Sequence, residues 1–215
     1  MVLRILLFII RWALYVTLPF ILLIRGGVYL HTHYFLPGWI CITGGAGMAA
    51  FVLFLYVYLI QRRFFKPVSS PHGQRTFLFA LLVVGAYCLQ SAFYLSGVHA
   101  KSSGVQAEFV ELHPLLRLSV STLIHLDRHL LITDAGRWPE DYRKMGLGSK
   151  SQSLHFRQSD GYTHALDVRT RDRSWLRNQL LTIYFRAMGF YTLRHGGTGD
   201  HLHVSLQSWD RPGGR

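Results

Sequence analysis

Hydrophobic positions run almost unbroken through the first half of the chain and turn periodic in the second. Three apolar stretches, roughly Ile5 to Ile24, Trp39 to Ile60 and Thr76 to Val98, each approach the ~20 residues that a bilayer-spanning helix needs. Arg11 interrupts the first and has to snorkel to an interface, and Pro19 can kink it. A cleaved signal peptide is the competing reading of this stretch, but the stretch is too long and lacks a convincing small-residue cleavage site. "HAKSSGVQAE" then reads as a linker. Beyond it Leu116, Val120, Leu123 and Leu126 recur near helical spacing after Pro114, and "LLITDAGR" reads as a short strand running into a turn. Leu176, Leu180, Ile183 and Ala187 mark one face of a second helix, a scaffold element that Asp172 or Ser174 can cap and Gly189 can end. In "HLHVSL" the period is two, so His201, His203 and Ser205 share one face while Leu202, Val204 and Leu206 face a core. "HALDV" has the same alternation, with Ala165 and Asp167 opposite His164, Leu166 and Val168.

These patterns predict an α+β protein: three amino-terminal transmembrane helices within residues 1–98, a linker over 99–107, and a small external domain with an antiparallel sheet over 108–215. The composition agrees, because half of the 215 residues are hydrophobic and only 16% are charged. Charge adds orientation. All eleven acidic residues lie beyond residue 100, whereas the first 95 residues carry only basic charges, at Arg4, Arg11, Arg25, Arg62, Arg63, Lys66 and Arg75. The loop "QRRFFKPVSSPHGQR" holds four of these, which by the positive-inside rule places it in the cytoplasm and the carboxy-terminal domain outside. A formal net charge of +12 suits nucleic acid, anionic lipid or an anionic wall polymer. No nucleic-acid-binding motif accompanies it. Gly45 and Ala49 sit at small-xxx-small spacing and predict close helix packing. His31 and His33 read as exposed interfacial residues, and His125 and His129 as a solvated helix end.

Cys41 and Cys88 both fall in apolar runs, so a metal in the external domain has to use His, Asp or Glu. His203 and Asp167 stand on polar strand faces. His164 points away from Asp167, which favours His155, swung in by the intervening loop, as the companion nitrogen. His155, Asp167 and His203 make a set of two nitrogens and one oxygen with a fourth tetrahedral position open, the pattern of catalytic zinc.

"SLHFRQSDGYTHALDVRTRDRS", followed by a helix, "MGF" and "HLHVSL", resembles the zinc peptidase superfamily of D-alanyl-D-alanine carboxypeptidases, murein endopeptidases, lysostaphin-type enzymes and the amino-terminal domain of hedgehog proteins. The upstream "HPLLRLSVSTLIHLDRHLLITDAGR" looks like the helix and strand of the carboxypeptidase branch, so the resemblance covers nearly the whole external domain. It implies that His155, Asp167 and His203 are zinc ligands, that His201 assists catalysis, that Asp200 stands in the place of a general-base glutamate, and that Arg137 contacts substrate and the oxyanion. Two features depart from the pattern. Eleven residues separate His155 from Asp167 where six are usual, which brings in His164 as an alternative ligand, and Asp200 is a methylene shorter than glutamate.

The resemblance implies a membrane-anchored zinc D,D-carboxypeptidase or endopeptidase acting on peptidoglycan peptides, in a multi-pass protein of a bacterial inner membrane with its domain on the periplasmic side. Its partners are then peptidoglycan and the lipid bilayer, without nucleic acid, with a membrane protein or a second copy as further candidates. The alternative is a non-catalytic hedgehog-like module that binds zinc, the cell wall or a partner.

Overall fold

The computed structural model describes residues 2–64, 70–137, 152–197 and 199–214. The chain divides into two compact units, Met1–Leu89 and Gln90–Arg215. In the first, α1 (Val2–Tyr34) and α2 (Gly38–Phe64) form an antiparallel hairpin, and α3 (Ser70–Phe93) follows. All three are long and apolar enough to cross a membrane. Large side chains such as Phe8, Trp12, Phe51 and Leu82 are more than half exposed, an arrangement that suits lipid tails and not water. Of the basic loop between α2 and α3, residues 65–69 lie outside the described residues.

The hairpin closes on small residues. Gly45 and Ala49 are buried, and a Cβ added at Gly45 would come 2.2 Å from the carbonyl oxygen of Leu23. Backbone stands where the side chain would go, so neither helix can yield by changing a rotamer. Aromatic pairs tie in α3, with Phe20 against Tyr87 and Phe54 against Phe77. The Arg11 guanidinium lies over the Tyr15 ring. Two boundaries differ from expectation. α1 continues through the segment read as a loop and stops only before Pro37, so His31 is buried within the helix, its Nδ1 3.1 Å from the Leu36 carbonyl, instead of exposed. α3 ends at Phe93, and the following turn is held by Gln106 Nε2 donating to the Leu95 carbonyl.

The second unit is built on a four-stranded antiparallel sheet of order β1-β2-β4-β3, comprising β1 (Ile132–Asp134), β2 (Ala165–Arg169), β3 (Tyr191–His195) and β4 (His201–Ser205). The expected linker is folded: Lys101 N donates to the Ile132 carbonyl, and Ser102 caps α4 (Ser103–Glu108). α5 (Pro114–Leu126) starts with proline at its first turn and buries Leu115, Leu116, Leu118 and Val120 completely. It ends before His129, so His125 and His129 do not share a helix face. The second expected helix is α6 (Trp175–Met188), capped by Ser174 and ended by Gly189 at φ 97°, a conformation open to glycine. Its core face is Asn178, Leu181, Phe185 and Met188, whereas Leu176, Leu180 and Ile183, the row that the apolar spacing marks, are exposed. Apolar residues occur on both sides of this helix, so periodicity alone could not choose between them.

Strand alternation is as expected. Leu166, Val168, Leu202 and Val204 are buried on one face of the sheet, and Asp167 and His203 face each other in register on the other. Within the same unit Arg117 is almost fully buried, with Nη1 donating to the Ala92 carbonyl at 2.9 Å and its guanidinium between the rings of Phe93 and Tyr162. Burial pulls its pKa down, against the opposing effect of Tyr162.

Gly45→Val tests the helix contact in the amino-terminal unit. Forcing a branched side chain against backbone should cost about 1–3 kcal/mol, read as a lower melting temperature of the full chain in detergent, whereas Gly47→Ala, which meets nothing within 4 Å, should leave it unchanged.

Candidate metal centre

Register brings the site together. Asp167 on β2 pairs with His203 on β4, and a bulge in β1 sets Asp134 opposite Asp167 as well. His155 lies outside the strands, in the loop that reaches β2. Its position is fixed by backbone: its carbonyl accepts from Arg137 N, and the neighbouring Leu154 carbonyl accepts from His164 N. Gly161, at φ 84°, turns the chain back between His155 and β2, with Arg157 bridged to Thr163.

His155, Asp167 and His203 are all buried, and their donor atoms converge. His155 Nε2 is 3.2 Å from His203 Nδ1 and 3.3 Å from Asp167 Oδ1, and His203 Nδ1 is 2.9 Å from the same oxygen. For a tetrahedral ion with metal–ligand distances of roughly 2.0–2.1 Å, the separation between ligand atoms is about 3.3 Å. The three atoms therefore have the spacing that a zinc-sized ion requires. Around them, Asp134 Oδ1 lies 3.3 Å from His155 Nδ1, at ion-pair distance, where its charge favours a proton on Nδ1 and leaves Nε2 free to ligate. Arg137 clamps both carboxylates, with Nε donating to Asp134 at 2.7 Å and Nη2 to Asp167 Oδ2 at 2.9 Å.

Electrostatics follow from this crowding. Burial alone would push the His155 pKa down, but Asp167 and Asp134 overcome it and raise the ring from 6.5 to about 9. Burial would likewise raise the pKa of Asp167, yet His155 and His203 hold it far below the usual carboxylate range. A proton on His155 thus fills the electrostatic role that a cation would take.

The other expected residues are placed as follows. His201, half-buried on β4, has Nδ1 2.5 Å from the Gly199 carbonyl and Nε2 3.6 Å from Asp167 Oδ2, on the solvent side of the triad. Asp200 is engaged elsewhere: Thr170 Oγ1 donates to it at 2.7 Å and Arg194 grips both of its oxygens, which lowers its pKa. His164 does not join the triad. Its Nε2 contacts Asp160 at 2.9 Å and its Nδ1 the Gln207 carbonyl at 3.3 Å, on the opposite sheet face.

His113, Asp160 and His164 form a second grouping of possible metal donors. There, His113 Nδ1 accepts the Leu115 N–H as a helix cap, and its Nε2 lies 3.8 Å from Asp160 Oδ2, beyond hydrogen-bond reach. This grouping fastens the loop between His155 and β2. Two residues that the sequence reading passed over belong to the first site: Asp134, whose place depends on the bulge, and His195, whose ring stacks on His201 with centroids 4.9 Å apart. The spacing of Asp134 to Arg137, three residues, was the available signal for the former.

Comparison with known proteins gives no matching family model, no matching curated protein and no matching solved structure.

Because the folded His155 pKa lies above its unfolded value, its proton stabilises the metal-free protein fully below about 6.5, and that contribution is lost as pH rises through about 9. Thermal scans of the chelator-treated full chain should therefore show the melting temperature falling between about pH 7 and pH 10, with the fall suppressed where a bound divalent ion replaces the proton. Asp134→Asn should weaken metal affinity by about 10–100-fold, measured by competition with a chromophoric chelator, since it removes the carboxylate that orients His155.

Proposed function

We propose that the chain is a membrane-anchored zinc metallopeptidase that hydrolyses D-alanyl peptide bonds in peptidoglycan stem peptides or cross-links, on the outer side of a bacterial cytoplasmic membrane. The observation that carries this reading is the triangle of His155 Nε2, Asp167 Oδ1 and His203 Nδ1, with sides of 2.9 to 3.3 Å, backed by Asp134 on the His155 ring. The resemblance of "SLHF", "ALDV" and "HLHVSL" to zinc D,D-peptidases supplies the reaction class, and the apolar helices supply the anchor.

Zinc bound by these three residues would polarise the scissile carbonyl and acidify a water molecule, lowering its pKa to roughly 7. The chain's own residues do the rest. With Nδ1 held at the Gly199 carbonyl, His201 presents Nε2 at the solvent side of the triad, where it can take a proton and return it to the leaving amine. Arg137 holds Asp167 and Asp134 in place with two of its nitrogens, and its positive charge beside them favours a developing oxyanion or a substrate carboxylate. Tyr191 and Leu193 share the site face of β3 and are about half exposed, giving an apolar shelf for a peptide.

One observation favours the second reading, a zinc-holding module without hydrolysis: Asp200, in the place of the general base, is bound by Arg194 and Thr170. Two measurements on the purified full chain separate the readings. Metal analysis should give about one zinc per chain, lost in His155→Ala and retained in His164→Ala. Turnover of a cross-linked muropeptide should fall by about 10²–10⁴-fold in His201→Ala with zinc retained, and change little in Asp200→Asn. Zinc without turnover in the wild type selects the binding module; no zinc at saturating supply rejects both.

A further inference from the structure

α6 is apolar on two sides. Opposite its buried face, Leu176, Leu180, Ile183 and Ala187 follow one another at intervals of four, three and four residues, which keeps them in one row along the helix. All four are exposed, Leu176 at 60%, Leu180 at 56% and Ile183 at 58%, and Trp175 at the first position is 70% exposed. A contiguous stripe of this kind marks an interaction surface more than chance exposure.

The flanks say what kind of surface meets it. At 3.6 residues per turn, Arg186 falls on one side of the stripe and Arg177 on the other. Both are exposed, and the helix contains no Asp or Glu. Arg186 is steadied at the edge by Nε donating to Thr192 Oγ1 at 2.7 Å. A second copy of this helix laid on the stripe would oppose arginines to arginines without one acid to pair them. An anionic bilayer has no such conflict, because its phosphates meet the arginines, the acyl boundary takes the leucines and isoleucine, and tryptophan is favoured at that depth. The same chain carries three helices fit to cross a membrane, so a bilayer is always near.

We propose that α6 lies in the plane of an anionic lipid surface, with Leu176, Leu180 and Ile183 inserted and Arg177 and Arg186 at the phosphates. This holds whether or not the metal centre hydrolyses anything.

The test is spin-label accessibility in the full chain, reconstituted in vesicles of neutral phospholipid with about a quarter anionic phospholipid. A nitroxide at Leu180→Cys, in a Cys41→Ala/Cys88→Ala background, is compared with one at Arg171→Cys, which is also exposed. Position 180 should show an oxygen-to-nickel-chelate collision ratio at least about threefold higher than position 171, falling towards it in purely neutral vesicles or with Arg177→Glu added. Equal access of the aqueous nickel chelate to both positions would overturn the proposal. So would dipolar coupling between labels at position 180, which would assign the stripe to a second copy.

Discussion

Two carboxylates side by side within a sheet are the constraint on which the site depends. Asp134 and Asp167 face each other because β1 is bulged, and with Asp167 buried and Asp134 only partly exposed, water screens their repulsion poorly. Arg137 binds one oxygen of each, and His155 reaches both through its two ring nitrogens. Burying charge is costly unless it is paired and hydrogen-bonded, so the loop bearing His155 and the turn bearing Arg137 are held to the sheet by the same demand. The backbone bond from Arg137 N to the His155 carbonyl joins those two segments directly.

That demand also explains how the connection between His155 and Asp167 leaves the site intact. The intervening residues form a turn at Gly161 with partners of their own: Asp160 faces His164 and His113, and Ser159 donates to Asp210 through its N–H and hydroxyl. Leu154, immediately before His155, bonds to His164 N, so the loop leaves and returns at one place. His164 is used in closing the loop, which is why it is absent from the triad despite its closeness to Asp167 in sequence.

Most of this was legible where one period dominates. "HLHVSL" alternates cleanly, and both the site face and the core face of β4 follow from it. Caps were legible too, since Ser174, Pro114 and Gly189 each fit one backbone role. The inner face of α6 was not, because apolar residues stand on both sides, Leu181, Phe185 and Met188 on one and Leu176, Leu180 and Ile183 on the other, and only the packing partner breaks the tie. Asp134 was missed for a different reason: a regular β1 would not set it opposite Asp167, and a bulge leaves no periodic mark in three residues. The continuation of α1 to Tyr34 was hidden by paired glycines and two histidines, residues that favour turns in water but sit within a helix whose Gly27 and His31 are buried.

The proton on His155 links stability to pH. With the ring raised to a pKa of about 9 against the cost of burial by Asp167 and Asp134, that proton offsets the charge of Asp167 at neutral pH in the metal-free protein. An ion entering the triad must expel that proton, and its hold is weaker for doing so. The compensation is geometric. The donor atoms already stand at the separations a tetrahedral ion requires, so binding moves a charge and no backbone. A zinc-sized ion at this triad would therefore compete with one proton, and would bind more tightly as pH rises and that proton leaves.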